Sequence, residues 1–383
     1  MYSFRVQLLA AVLVSLPPLA QAAAPPALDT EKISKIVTQA LKEYNIPGAV
    51  LDIDTPGNRW VQAFGLANWQ ANRPVKPRDH FAIRSITKSF TVTRVLQLIA
   101  ASDGAITLND PIGTYLPNIP NGDIITLRQL GDMTSGLYDY TADPDFRKAF
   151  GADPTRHFSV QQLLKYALYS KKHGPINFQP GAEYQYSNTN TLLLGELVVA
   201  LTSKPFANTL STAILRPLGL GSTVFVKAVD LPAPAATGYQ GFFDNEPDPV
   251  AVNSSSLSYA GAMASTASDL ASWGEVLVGG ELLPAKLQQQ RFRAHRTAED
   301  PNSPLYDRYG LGMGEIAGWW GHTGSGVGFQ AAVFHNIDSG ITFAILLNAS
   351  NTNDSPARIF CRVLPLLTKG DLPAAKSVCE EIK

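Results

Sequence analysis

Three short motifs in this chain carry residue types that could do chemistry together: Ser85-Ile86-Thr87-Lys88, Tyr186-Ser187-Asn188 and His322-Thr323-Gly324. A serine hydroxyl is a poor nucleophile until a neighbour takes its proton. Lys88 follows Ser85 by three residues, so on a helix the two share a face. A lysine desolvated in an apolar site holds its proton less tightly and can serve as base or relay. At a helix start, Ser85 would also turn its backbone N–H outward, where the helix dipole helps it meet an oxyanion. Tyr186 supplies a phenol whose pKa a nearby ammonium would pull down, so it can share the general-base role. Asn188 supplies an amide that can hold Lys88 and donate to a substrate carbonyl. The run Gly324-Ser325-Gly326 lets an extended substrate approach the backbone closely, and the Ser325 N–H is a second oxyanion donor. Each motif alone has a plain alternative: an exposed Ser and Lys, a tyrosine at a packing seam, a histidine at a strand start. All three in one chain point to a serine acyl-transfer enzyme.

Other chemistries find less support. None of the six histidines is spaced from another as H-x-x-x-H, so no zinc site is expected. The glycine runs 310–314 and 324–328 do not follow a strand and open a helix, as a nucleotide loop would. There is no G-K-[ST] and no G-x-S-x-G elbow. Trp319 and Trp320 abut His322 and are read as a substrate wall. Asn351 and Asn353 follow a strand and are read as turn formers.

Periodicity suggests the elements that must position these residues. Ile33, Ile36, Val37, Ala40 and Leu41 recur on one face, which predicts a helix over 29–44 with Asp29 or Thr30 as cap. Residues 48–53 and 60–64 read as strands around the turn Thr55-Pro56-Gly57-Asn58. A helix with one apolar side is expected from Ser85 to Ala101, and others over 159–169 and 190–202. Tyr186-Ser187-Asn188 then falls on a loop before the last of these. Strands 328–334 and 341–347 flank a turn at 336–340, and 356–367 closes as a helix. That order predicts an α+β fold: one sheet, about 29–85 and 305–368, built from both chain ends, with a mostly helical subdomain, about 86–304, inserted.

The 383 residues carry a formal net charge of −1, which leaves no electrostatic footprint for nucleic acid. Residues 1–22 read as a signal peptide: Arg5, an apolar run from Leu8, and Ala20-Gln21-Ala22 at the cut. Pro17-Pro18 and the short run argue against a spanning helix, so no integral membrane segment is expected after removal. The chain is thus expected in the periplasm or outside the cell, where Cys361 and Cys379 could pair.

Together the motifs resemble those of the serine penicillin-recognising hydrolases: D-alanyl-D-alanine carboxypeptidases, class C β-lactamases and their esterase relatives. The resemblance runs from about residue 30 to 367. It includes Leu127-Arg128-Gln129-Leu130 through Thr134-Ser135-Gly136-Leu137, Ala264 to Leu270, and Tyr309-Gly310-Leu311-Gly312 before Gly321-His322-Thr323-Gly324. It implies a β-lactamase-like fold with the site in its cleft. It implies Ser85 as nucleophile, Lys88 and Tyr186 as shared base, and the Ser85 and Ser325 N–H groups as oxyanion hole. Asn188, His322, Thr323 and Gly324 would line the substrate, and no cofactor is required. A small-molecule or peptide substrate is implied, with an amide, β-lactam or ester carbonyl. The alternatives are a carboxylesterase of the same fold and a non-turnover penicillin- or peptide-binding protein. Class C enzymes usually carry lysine where His322 stands. A histidine would attract a carboxylate only when protonated, below about pH 6.5. Residues 313–320 add no cation, and Glu315 facing the site would repel a carboxylate, so esters and amides without one are favoured.

Overall fold

Asp29 opens the first helix, α1 (Thr30–Glu43), by accepting a hydrogen bond from the Lys32 N–H at 3.0 Å. The computed structural model describes residues 28–243, 246–297, 303–368 and 377–381, and the leader expected over 1–22 lies outside them. Ile33, Val37, Ala40 and Leu41 of α1 are buried, the stripe that the periodicity predicts. They face a sheet beside the closing helix Ser355–Leu367, whose Ile359, Phe360 and Val363 join the same core.

The sheet has nine antiparallel strands among the described residues. β1 (Gly48–Thr55) and β2 (Asn58–Asn68) form the expected hairpin. The spatial order is Arg73–Pro74, β2, β1, Ile341–Leu347, Phe329–Asn336, Trp319–Gly326, Gly314–Ile316, Arg308–Tyr309 and His295–Arg296. β1 pairs with the Ile341–Leu347 strand, Leu51 opposite Ile345, so the two chain ends meet in mid-sheet. Period-two alternation then divides the core. Leu51, Ile53, Phe343 and Ile345 face α1 and the closing helix, while Val50, Ala344 and Leu346 face the helical side.

On that side lies α2 (Thr87–Ala100), which departs from expectation in two ways. It is buried almost all round rather than along one side, from Thr87 through Thr93. Its polar side chains find partners inside: Thr91 Oγ1 donates to the Tyr259 carbonyl at 2.8 Å, and Trp273 Nε1 donates to Ser89 Oγ at 2.8 Å. The helix also begins after Ser85. Arg84–Ile86 form a separate 3₁₀ turn that leads into it.

Candidate active site

Ser85 therefore sits on a turn rather than within the helix, while Lys88 lies in the helix's first turn. The two still meet: Lys88 Nζ donates to Ser85 Oγ at 2.9 Å and to the Ala260 carbonyl at 3.0 Å. Lys88 is fully buried, and desolvation pulls its ammonium down to about 7, with the Asp139 carboxylate opposing. A lysine poised there is half deprotonated near neutrality and can take a proton.

Tyr186 stands over this pair. Lys88 Nζ lies 5.0 Å from its ring centroid, and the Ser85 side chain acts on its hydroxyl. The lowered phenol pKa expected of it is not found. Desolvation raises Tyr186 well above the ordinary value, and the Tyr306 side chain adds to the rise. Burial outweighs the neighbouring ammonium, so Tyr186 rests as a neutral hydroxyl that can pass a proton on.

Asn188 also departs from its expected place. It is the first residue of the helix Asn188–Thr202, so only Tyr186 and Ser187 lie on the preceding loop. Its Nδ2 donates to Asp139 Oδ2 at 2.8 Å, whereas the hydrogen bonds of Lys88 go to Ser85 and Ala260. Asp139 also accepts from the Thr141 N–H at 3.0 Å. Asn188 thus anchors a carboxylate that lies close enough to bias the lysine, rather than holding the lysine itself.

His322 requires the largest correction. It is fully buried and does not line the pocket. Its Nδ1 faces the Thr323 carbonyl, which can only accept, so Nδ1 carries the hydrogen. Nε2 then accepts from the Tyr309 hydroxyl at 3.0 Å, and the Tyr306 hydroxyl lies 3.1 Å from Nδ1. Desolvation first, and the Lys88 charge second, pull the imidazole down to about 3. His322 is therefore a neutral, buried group that is not among the residues lining the pocket. Gly324 serves the protein's own chain as well: a Cβ there would stand 2.1 Å from the Ile83 carbonyl oxygen, just before the Ser85 turn. Trp319 packs on Phe360 and Trp320 on Phe292, so both are core and neither lines the pocket. Glu315 is paired with Arg308 at 2.8 Å and is not among the residues lining the pocket.

The pocket itself, about 630 Å³, is lined by Ser85, Tyr186, Asn188, Thr323 and Ser325 among others. Sequence reasoning missed Tyr138, Asp139, Arg147 and Asp354 on its walls. Asp139 sits between two aromatics in Tyr138-Asp139-Tyr140, a pattern that in sequence looks like any turn. Asn353, read as a turn former, also reaches the pocket, whereas Asn351 braces the Gly241 N–H at 2.7 Å. Among the described residues, no group of three or more His, Cys, Asp or Glu could hold a metal ion.

A family model described as Beta-lactamase matches residues 33–364. A Bacillus subtilis (strain 168) protein named as penicillin-binding protein PbpX is 24% identical over 339 residues, covering 87% of this chain and 78% of that one. Esterase EstB of Burkholderia gladioli is 29% identical over 237 residues, 57% of this chain, which spans only 56% of the esterase. Among solved structures, a D-stereospecific amidohydrolase from Streptomyces sp. superposes with a TM-score of 0.74 at 30% identity, over 88% of this chain and 99% of that one.

Proposed function

The chain belongs to the beta-lactamase family of serine hydrolases, and we propose that it cleaves amide or ester carbonyls through an acyl-enzyme on Ser85. One observation carries this reading: Ser85 Oγ on the pocket wall, 2.9 Å from a buried lysine whose pKa is about 7. Neutral Lys88, with the Tyr186 hydroxyl as relay, takes the Ser85 proton while the Oγ–carbonyl bond forms. The Ser85 and Ser325 N–H groups receive the oxyanion. The leaving group departs with that proton, and water then hydrolyses the ester on Ser85. No cofactor enters these steps.

The substrate we favour is an acyl donor without a free carboxylate. Among the residues lining the pocket, two carboxylates, Asp139 and Asp354, stand against one guanidinium, Arg147. Two relatives named as an esterase and a D-stereospecific amidohydrolase agree with this choice. The proposal includes export to the periplasm or the cell exterior. The Cys361–Cys379 disulfide supports it, because such bonds persist in oxidising compartments.

The test is intact-mass analysis after mixing with a p-nitrophenyl ester and, separately, a penicillin, followed by peptide mapping. An adduct on Ser85, with faster turnover of the ester at pH 7, is the expected result. Turnover retained in Ser85→Ala, or an adduct on another residue, sinks the mechanism. A penicillin adduct that never clears would instead make the chain a penicillin-binding protein without turnover.

A further inference from the structure

Arg84, the residue before the nucleophile, takes no part in the steps above, yet it is held in a costly way. Its φ is +49°, in the left-handed region that residues other than glycine rarely occupy. Its side chain is 2% exposed, and it forms no salt bridge among the described residues. Burial pulls the guanidinium down only to about 10, so it remains a cation at neutral pH.

What this cation does is link two segments. Arg84 Nη2 donates to the Val327 carbonyl, in the turn between the Trp319–Gly326 and Phe329–Asn336 strands. Its guanidinium carbon lies 5.6 Å from the Phe329 ring centroid. Its stem lies along the strand end: a Cβ on Gly326 would stand 3.1 Å from Arg84 Cδ, and one on Gly324 would stand 3.2 Å from Arg84 Cβ. Arg84 thus fastens the Ser85 turn to the hairpin that carries Ser325.

We propose that Arg84 is a positioning residue that fixes the spacing between the Ser85 and Ser325 N–H groups, and so shapes the oxyanion hole. The inference rests on the acyl-enzyme reading above. Its physical basis is that the two donors come from separate segments. Ser325 is registered to Gln330 by its own hairpin, not to Ser85. Oxyanion donors must sit about 2.7–3.1 Å from the developing charge, so a small drift of one segment weakens the transition state more than the bound substrate. The Arg84 guanidinium adds a cross-link between those segments next to both donors.

The test compares Arg84→Met, which keeps the stem and drops the donors, with Arg84→Lys, which keeps a cation and one donor group. Arg, Lys and Met all carry a Cβ, so the left-handed φ strains the three alike. Three readouts are needed: kcat and KM on a p-nitrophenyl ester, the active fraction after exhaustive fluorophosphonate labelling, and affinity for phenylboronic acid. The boronic acid bonds to Ser85 Oγ as a tetrahedral anion and so reports the oxyanion hole. In Arg84→Met, kcat should fall on the order of tenfold with KM within about twofold, and phenylboronic acid should bind more weakly by a similar factor. The labelled fraction should stay intact, and Arg84→Lys should recover most of the loss. The idea is overturned if Arg84→Met keeps kcat and boronate affinity, if only KM rises, or if the lost rate merely follows the lost labelled fraction. Failure of wild type to form any Ser85 adduct would overturn the acyl-enzyme reading itself, and this inference with it.

Discussion

At the scale of single residues, burial decides the sign of every titration that matters here. Lys88 must be neutral to accept a proton, and desolvation brings it to about 7. The profile of kcat/KM against pH should therefore rise with a midpoint near 7 and lose activity below it. Tyr186→Phe should lower acylation by at least ~10²-fold without moving that midpoint, and the Lys88→Ala/Tyr186→Phe pair should be little worse than either single change. An acid limb that shifts in Tyr186→Phe would show that the phenol, not the lysine, is the titrating base. His322 gives a second prediction. Its folded pKa is about 3 against 6.5 when unfolded. Between these values the unfolded chain binds a proton that the native protein refuses, so stability falls as pH drops below 6.5. From pH 7 to pH 5 this contributes a loss of about 2 kcal/mol. Urea denaturation at both pH values should show His322→Gln losing less than wild type by about that amount, while the ester-to-penicillin preference stays flat. The residue types were legible in the sequence because the chemistry demands them. The pKa directions of Tyr186 and His322 were not, because neither motif records what surrounds it in space.

At the scale of elements, the helices and strands that periodicity marked are present: α1, the β1–β2 hairpin, the strands Phe329–Asn336 and Ile341–Leu347, and the closing helix. Ser159, read as the start of a helix, caps Val160–Leu168 with a capping box through Gln162. What escaped the sequence is irregular: the 3₁₀ turn at Arg84–Ile86 and the loop that brings the Asp139 charge within electrostatic reach of Lys88. Neither has a period, and both are set by tertiary contacts made far along the chain. The Ser85 turn meets the Trp319–Gly326 strand so closely that Gly324 leaves no room for a methyl group. Gly324→Ala should push the Ile83–Ser85 backbone away, costing roughly 1–3 kcal/mol of stability and most of the activity. Gly151, in the helix Pro144–Ala152, meets nothing within 4 Å of an added Cβ. Gly151→Ala should therefore be stabilising by roughly 0.5–1 kcal/mol and leave kcat/KM untouched. Calorimetry and ester kinetics on the two variants check both, and equal behaviour would refute the close-approach argument.

At the scale of the whole molecule, the two ends of the chain meet in one sheet, which the order of predicted elements foretold. The sequence could not show how the C-terminal tail returns to brace the site. Cys361, in the closing helix, is bonded to Cys379 in the tail. That link brings Ser377 and Val378 to Asp307, which accepts from Ser377 Oγ at 2.8 Å and from the Val378 N–H at 2.7 Å. Asp307 lies between Tyr306 and Tyr309, the two phenols that engage His322, and the Tyr306 hydroxyl also accepts from the Thr323 N–H at 2.7 Å. The described residues of the tail thus bond Asp307, behind the tyrosines that back the pocket, and are not among its lining residues. The disulfide closes a loop with a sequence separation of 18. A cross-link of that span restricts the unfolded chain by about 3 kcal/mol. Cys361→Ser/Cys379→Ser should therefore lose about that much in urea denaturation, and wild type treated with reductant should match it. Because the tail reaches Asp307 rather than the lining, kcat/KM well below the unfolding temperature should stay within about threefold of wild type. Unchanged stability would mean that the tail does not close this loop in solution. A large loss of activity at full stability would mean that Asp307 passes the tail's position on to Tyr306 and Thr323, and that the wall of the pocket is less rigid than its buried tyrosines suggest.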